Sequence, residues 1–285
     1  MRDPRIEQHW KKLSLDRIEE IGSKDAIVIL SYSDDEGVRI NRGRPGAAEG
    51  PARILYFLGR YVHRLHDTPE IFILERFHDK NTDTQLPPLK DRHASAERSV
   101  LNLLKEGFRV ITLGGGHDYG YPDSSAFYQY SSGKILNIDA HLDVRPVVNE
   151  EFNSGTPFYR FIERFGGKPL VEWGIQPQCN AVSHLEFAEK AGALVLSYRE
   201  KLPKISGPVG LSVCLDAFAG IRGVSAPAIV GLSPEDGVEA IRSYAKASRW
   251  LGLYECAPAH DPLTEDSARL GALLAYHFIH ETLKI

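Results

Sequence analysis

Cysteine is scarce in this chain, with three in 285 residues at Cys179, Cys214 and Cys256. Three thiols make no disulfide framework and none stands in a C-x-x-C pair, so a stapled secreted scaffold and a structural zinc knuckle are both disfavoured. No basic tract is present. Lys+Arg is 34 against Asp+Glu at 38, a net charge of −4, which argues against an electrostatic grip on nucleic acid. No apolar run approaches the roughly 20 residues a membrane span needs. The segment Met1–Lys12 is charged and lacks the apolar stretch of a secretory signal. There is no Pro/Gly/Ser-rich linker, internal repeat or low-complexity tract. At 42% hydrophobic and 25% charged residues, the composition is that of a soluble, core-forming protein. A cytoplasmic location is expected, with no nucleic-acid and no membrane partner.

Short apolar runs recur along the chain with helix-length segments between them. The expected strands are Ala26–Leu30, Glu70–Leu74, Phe108–Leu113, Lys134–Ile138, Leu170–Trp173, Ala193–Leu196, Val209–Leu215 and Trp250–Tyr254. Several are apolar at every position (A-I-V-I-L, I-F-I-L, A-L-V-L), the pattern of parallel strands covered on both faces. Helix punctuation fills the gaps. Gly50-Pro51 and Thr156-Pro157 place proline at a first helical position, the second behind a Thr N-cap. Ser233-Pro234-Glu235-Asp236 reads as an N-cap, a proline and first-turn acids. Gly107 closes an amphipathic stretch running from about His93 to Glu106. Residues 1–285 are therefore expected to form one α/β domain of three layers, a doubly wound parallel sheet of about eight strands. In such sheets ligands bind beyond the carboxyl ends of the strands.

Four of those ends carry chemistry. The third run leads into Gly114-Gly115-Gly116-His117-Asp118, where glycines allow a tight turn and leave the imidazole uncrowded. The G-K-[ST] of a phosphate loop is absent and G-x-G-x-x-G does not fit; a plain turn with a surface His stays open. The fourth ends in Asp139-Ala140-His141-Leu142-Asp143, whose alternation in extended chain brings two carboxylates and an imidazole to one side. Such a group at the mouth of a buried strand needs a cation to offset repulsion and desolvation. The seventh run places Cys214 and Asp216 at the same spacing, and the eighth delivers Glu255, for which a capping or surface acid is the simpler alternative. Two imidazoles, four carboxylates and a thiol exceed one ordinary site and suit a binuclear centre, which can hold a hydroxide between two cations.

At these residues the chain resembles the arginase/ureohydrolase superfamily of binuclear manganese amidinohydrolases. The motifs G-G-G-H-D, D-A-H-L-D, L-S-V-C-L-D and Y-E-C-A-P come in that superfamily's order and at roughly its spacing. The likeness extends to N-R-G-R-P-G-A-A-E-G-P from Asn41, S-G-T-P-F from Ser154 and G-V-S-A-P from Gly223. By position it implies His117, Asp139, His141, Asp143 and Asp216 as metal ligands and Glu255 as the acid holding the substrate's cationic amidine. Within the superfamily the chain is most similar to the formiminoglutamase branch. It carries G-G-G-H rather than G-G-D-H, and Ser154 where arginases and agmatinases usually carry His. The resemblance thus implies hydrolysis of N-formimino-L-glutamate to L-glutamate and formamide, with two Mn2+ per subunit and a homo-oligomeric assembly.

In that chemistry Asp143 is the candidate to pass a proton to the departing nitrogen, and Glu255 orients the amidinium. Ser154 and the neighbouring Asn153 are expected at the substrate, and the glutamate tail needs cations, for which Arg44 and Arg145 are the candidates. The departure is Cys214, where the family usually has the first Asp of S-x-D-x-D, a bridging ligand. A thiolate can ligate but is soft, favouring Zn, Co or Fe over Mn; as a small buried Cys it would leave one metal short of a ligand. Two other readings follow: an amidinohydrolase for agmatine or guanidino acids, and a metal-poor, non-catalytic homologue. The other nine histidines, Cys179 and Cys256 are expected to be surface or core groups.

Overall fold

The computed structural model describes residues 5–13, 26–62, 70–74 and 86–283. Among them, nine strands form one sheet: β1 (Trp10–Leu13), β2 (Ile27–Ser31), β3 (Ile71–Leu74), β4 (Arg109–Leu113), β5 (Lys134–Ile138), β6 (Leu170–Ile175), β7 (Leu194–Ser197), β8 (Val209–Cys214) and β9 (Trp250–Tyr254). Their order is β1-β3-β2-β4-β9-β8-β5-β6-β7, with every pairing parallel. The eight expected strands are all present within two residues of their expected ends. The ninth, Trp10–Leu13, was not anticipated: two lysines in four residues read as polar. The strand lies at the sheet's edge, where lysine is tolerated and discourages further pairing, and Lys11 sits over the Phe72 ring at 5.8 Å.

The apolar runs are explained by two cores, one on each face of the sheet. Successive strand residues point to opposite faces, so Ile27 and Ile29 enter one cluster while Val28 and Leu30 enter the other. After the short helix α1 (Glu36–Ile40), the first cluster is closed by α2 (Gly50–Gly59), α7 (Pro234–Tyr244) and α8 (Asp266–Leu283) through residues such as Ile54, Leu58, Ile241 and Phe278. The second is closed by α3 (Leu89–Lys105), α4 (Gly120–Ser131), α5 (Pro157–Phe165) and α6 (Val182–Ala191) through Val100, Leu104, Phe127, Phe158 and Ala188. The result is a single three-layer α/β domain. Each fully buried Ile, Leu or Phe contributes roughly 1.5–3 kcal/mol. Among the described helices, none is long and apolar enough to cross a membrane.

The helix punctuation holds with two adjustments. Ser233 forms a full capping box, its hydroxyl accepting from the Asp236 N–H while the Asp236 carboxylate accepts from the Ser233 N–H. Gly107 closes α3 at φ 92, but that helix begins at Leu89, after Pro88, one turn earlier than expected. Thr156 stands before α5 but does not cap it with its side chain. Its hydroxyl is turned back, donating to the Asn153 carbonyl at 2.9 Å and accepting from the Asn153 N–H at 3.2 Å.

The sheet order has one consequence for function. β4, β9, β8 and β5 are consecutive neighbours, so motifs from His117 to Glu255 in sequence emerge side by side at one edge of the sheet. α7 packs on α8 and places Ala240, Ile241 and Tyr244 in the first core cluster, so loss of its cap is felt in the fold. Ser233→Ala should lower stability by about 1 kcal/mol, shifting the midpoint but not the slope of urea unfolding.

Candidate metal centre

The site residues converge through turns rather than through the extended alternation expected. β5 ends at Ile138 and Asp139–Asp143 lie beyond it, with Asp143 at φ 49. β8 ends at Cys214, and Asp216 lies in a short 3-10 turn, Leu215–Ala217. Glu255, one residue past β9, has φ 64. Left-handed backbone at non-glycine residues costs on the order of 1 kcal/mol or more and persists where the surroundings impose it. Here the bends turn side chains that the strands alone would have sent elsewhere into one cavity.

His117 Nδ1 lies 2.9 Å from Asp139 Oδ2 and 3.1 Å from Asp143 Oδ2. His141 Nδ1 lies 3.5 Å from Asp139 Oδ1 and 3.3 Å from Asp216 Oδ2. Close as they are, His117 Nδ1 and Asp139 Oδ2 form no hydrogen bond, and Asp216 Oδ1 is also buried without a partner. Buried polar atoms left this way call for an ion. Two sets of donors answer: His117, Asp139 and Cys214 bring ligand atoms within 4.8 Å of one another, and so do Asp139, His141 and Asp216. Asp139 belongs to both sets, so the cluster fits two cations sharing a carboxylate.

The electrostatics agree. Burial opposes charge on His117 and His141, yet the carboxylates around them raise both imidazoles far above the usual range. Burial also opposes charge on Asp139, but His117 and His141 hold it below the ordinary carboxylate range. Asp143 is pushed up to about 6 by burial and by Asp139. Burial, with Asp139, Asp216 and Glu255 nearby, drives the Cys214 thiol well up. That thiol needs a cation to ionise.

A buried frame fixes His117. Its Nε2 is 3.0 Å from Ser212 Oγ, leaving Nδ1 as the ligating nitrogen. Its ring stacks on Tyr254 at 4.7 Å, and its backbone N–H donates to Glu255 Oε1 at 2.8 Å. The other oxygen of Glu255 accepts from the Ser225 hydroxyl, so the G-V-S and G-G-G-H loops clasp one carboxylate. Behind them Asp123 accepts from Tyr254 at 2.6 Å and from Tyr32 at 2.8 Å.

A cavity of about 310 Å³ opens over the cluster. His117, His141, Asp143, Cys214, Asp216, Glu255, Ser154 and Arg145 line it, with Asp139 fully buried beneath. Arg145 donates to Asn41 Oδ1 at 2.6 Å, and Asn41 donates to Ser154 Oγ at 3.0 Å. Two expected substrate residues are not on the wall. Arg44 donates to the carbonyls of Arg222 at 3.2 Å and Ser225 at 3.3 Å, and Asn153 Oδ1 accepts from the Gly155 N–H at 3.0 Å. In their place the wall includes Arg42, at φ 61, and also Cys179 and His184. Arg42 was within reach of sequence reasoning, since it belongs to the same N-R-G-R motif as Arg44. Cys179 and His184 carry no local signal and were expected to be ordinary surface or core groups.

Fold and site together define a binuclear-metal amidinohydrolase, built on a parallel sheet whose central strand ends supply the ligands. The chain belongs to the arginase family, whose sequence model matches residues 25–280. It is 30% identical over 300 aligned residues to a formimidoylglutamase of Staphylococcus carnosus, covering 96% of this chain and 93% of that one. A crystal structure of Trypanosoma cruzi formiminoglutamase with Mn2+ matches with a TM-score of 0.80 at 25% identity over 98% of both chains. Formimidoylglutamase from Bacillus subtilis shares the fold, with a TM-score of 0.84 at 18% identity over 98% of this chain and 92% of that one.

Asp123 gives a pH test of this frame. Burial outweighs its hydroxyl donors and raises it to about 7, whereas an unfolded chain holds an Asp near 3.9. Between those values the folded form keeps a proton that the unfolded form releases. The stability this group contributes is complete below about pH 4 and lost as pH rises through 7. Asp123→Asn imitates the protonated form. In chelator, urea unfolding from pH 5 to 8 should show the wild type losing about 2–3 kcal/mol more than the variant.

Proposed function

We propose that this protein hydrolyses N-formimino-L-glutamate to L-glutamate and formamide. The supporting observation is one cavity with an anion for the amidine at one wall and a cation for the acid tail at another. Glu255, the Asp139-centred ligand groups and Arg145 all border it. The names of the Staphylococcus carnosus and Trypanosoma cruzi relatives point to the same reaction. Two Mn2+ are the proposed cofactors: His117, Asp139 and Cys214 would hold one and Asp139, His141 and Asp216 the other, with Asp143 beside His117. Bound there, two dications make water a competent nucleophile at neutral pH.

The remaining steps belong to the chain. Glu255, fixed through both oxygens by His117 N–H and Ser225, orients the amidinium by a charge-assisted hydrogen bond. Asp143 carries a proton to the departing nitrogen. Arg145 and Arg42 take the tail carboxylates, and Ser154 lines the same wall. Arg44 and Asn153 shape that wall by holding backbone. Residues 1–285 act as one unit. A reduced Cys214 at the centre fits a cytoplasmic setting, and exposed Ile229 and Val230 offer apolar surface for a homo-oligomer.

Formiminoglutamate should be turned over well, and arginine and agmatine poorly; comparable agmatine turnover would move the assignment to another amidinohydrolase. Asp139→Asn and His141→Ala should abolish activity and metal retention together. Glu255→Gln should cost about 2–4 kcal/mol in kcat/KM. Cys214→Asp replaces a soft donor with a hard one, and calorimetry should show tighter Mn2+ binding with equal or higher activity. If that variant gains Mn2+ and activity where the wild type has neither, the natural chain is a non-catalytic relative.

A further inference from the structure

A second cavity, of about 520 Å³, lies among α3, α4 and α5, and none of its lining residues borders the metal centre. Its central group is the Arg160 guanidinium, held between the rings of Tyr121 at 3.7 Å and Phe152 at 3.8 Å. One nitrogen, Nη1, is 3.0 Å from His93 Nδ1. His93 Nε2 is in turn 2.8 Å from Asp118 Oδ2. The Asp118 carboxylate accepts a hydrogen bond from Nε2–H, so Nδ1 is the acceptor for Arg160. Burial lowers the His93 pKa, so the ring next to Arg160 brings no negative charge of its own and Asp118 faces the guanidinium only through it.

Its surroundings show what is missing. Arg92, on the neighbouring α3 and fully buried, meets Asp34 at 3.0 Å and Glu36 at 2.6 Å. Arg164, on the rim of the same cavity, meets Glu97 at 2.9 Å. Among the described residues, Arg160 has no carboxylate within ion-pair distance, and burial brings its pKa down to about 10. Glu97 is already engaged by Arg164 and Gln129, and Glu163 is exposed at the rim. A charge taken this far out of water needs a counter-ion, and the planar Nε–Nη2 edge of a guanidinium is shaped for a carboxylate.

We propose that this cavity binds a small organic carboxylate as a bidentate pair on the Nε–Nη2 edge of Arg160, which has no hydrogen-bond partner among the described residues. The inference is independent of the proposed reaction. Arg160 lies two hydrogen bonds, through His93, from Asp118, the neighbour of His117, so the occupant would lie three away.

Succinate is a suitable probe, titrated by calorimetry into the metal-loaded protein. The wild type should bind it, Arg160→Gln should bind at least tenfold more weakly, and Arg145→Gln, altered in the metal cavity, should retain the binding that Arg160→Gln loses. Arg160→Lys keeps the charge without the fork, so its binding should fall between the two, and it serves if the Gln variant does not fold. No binding by the wild type overturns the proposal. So does loss in Arg145→Gln with retention in Arg160→Gln, which would place the acid at the metal centre.

Discussion

Carboxylates brought together in a dry place cannot all ionise unless a cation joins them. Asp139, Asp216 and Glu255 are each at most 4% exposed and face the same small volume. Much else in the molecule serves to impose that arrangement. The contiguous order β4-β9-β8-β5 delivers the groups, two apolar cores hold the strands from either side, and left-handed residues at Arg42, Asp143 and Glu255 complete the wall. Apolar burial elsewhere in the domain sustains an electrostatic conflict that the bound metals would resolve.

This conflict clarifies the position of Cys214. An Asp there would add one more negative charge to a site already crowded with them. A thiol stays neutral until a cation arrives, so the metal-free protein has less repulsion to hold in check. The gain is offset by weaker affinity for hard ions. One residue thus trades stability of the metal-free fold against retention of manganese.

Much of the structure was legible in the sequence because strand cores advertise themselves. Runs such as A-I-V-I-L are apolar at every position only when both faces are covered, and several of the strands read that way, with mostly apolar runs marking the rest of the eight. Trp10–Leu13 did not, since an edge strand is free to carry lysines. The metal-site motifs were legible for a different reason: carboxylates and imidazoles at the mouths of apolar strands have few uses. Their convergence was right, while its supposed cause was not, because bends after Ile138 and Cys214 replace simple alternation. Loop residues were the least legible. Arg44 and Arg42 look equivalent in N-R-G-R, and only the fold turns one toward backbone carbonyls and the other into the cavity.

The glycines ahead of His117 bear on how such a protein can change over evolutionary time. A side chain at Gly116 would collide with the Asp118 carboxylate and come within 2.9 Å of Val38 Cγ2. Asp118 cannot withdraw freely, since its other oxygen holds His93. To move from G-G-G-H toward G-G-D-H, a lineage must first relocate Asp118, and the first of those substitutions breaks a buried pair before the second brings any benefit. The two loop types are therefore separated by an epistatic valley, and a descendant of this chain is confined to its own side unless both positions change together.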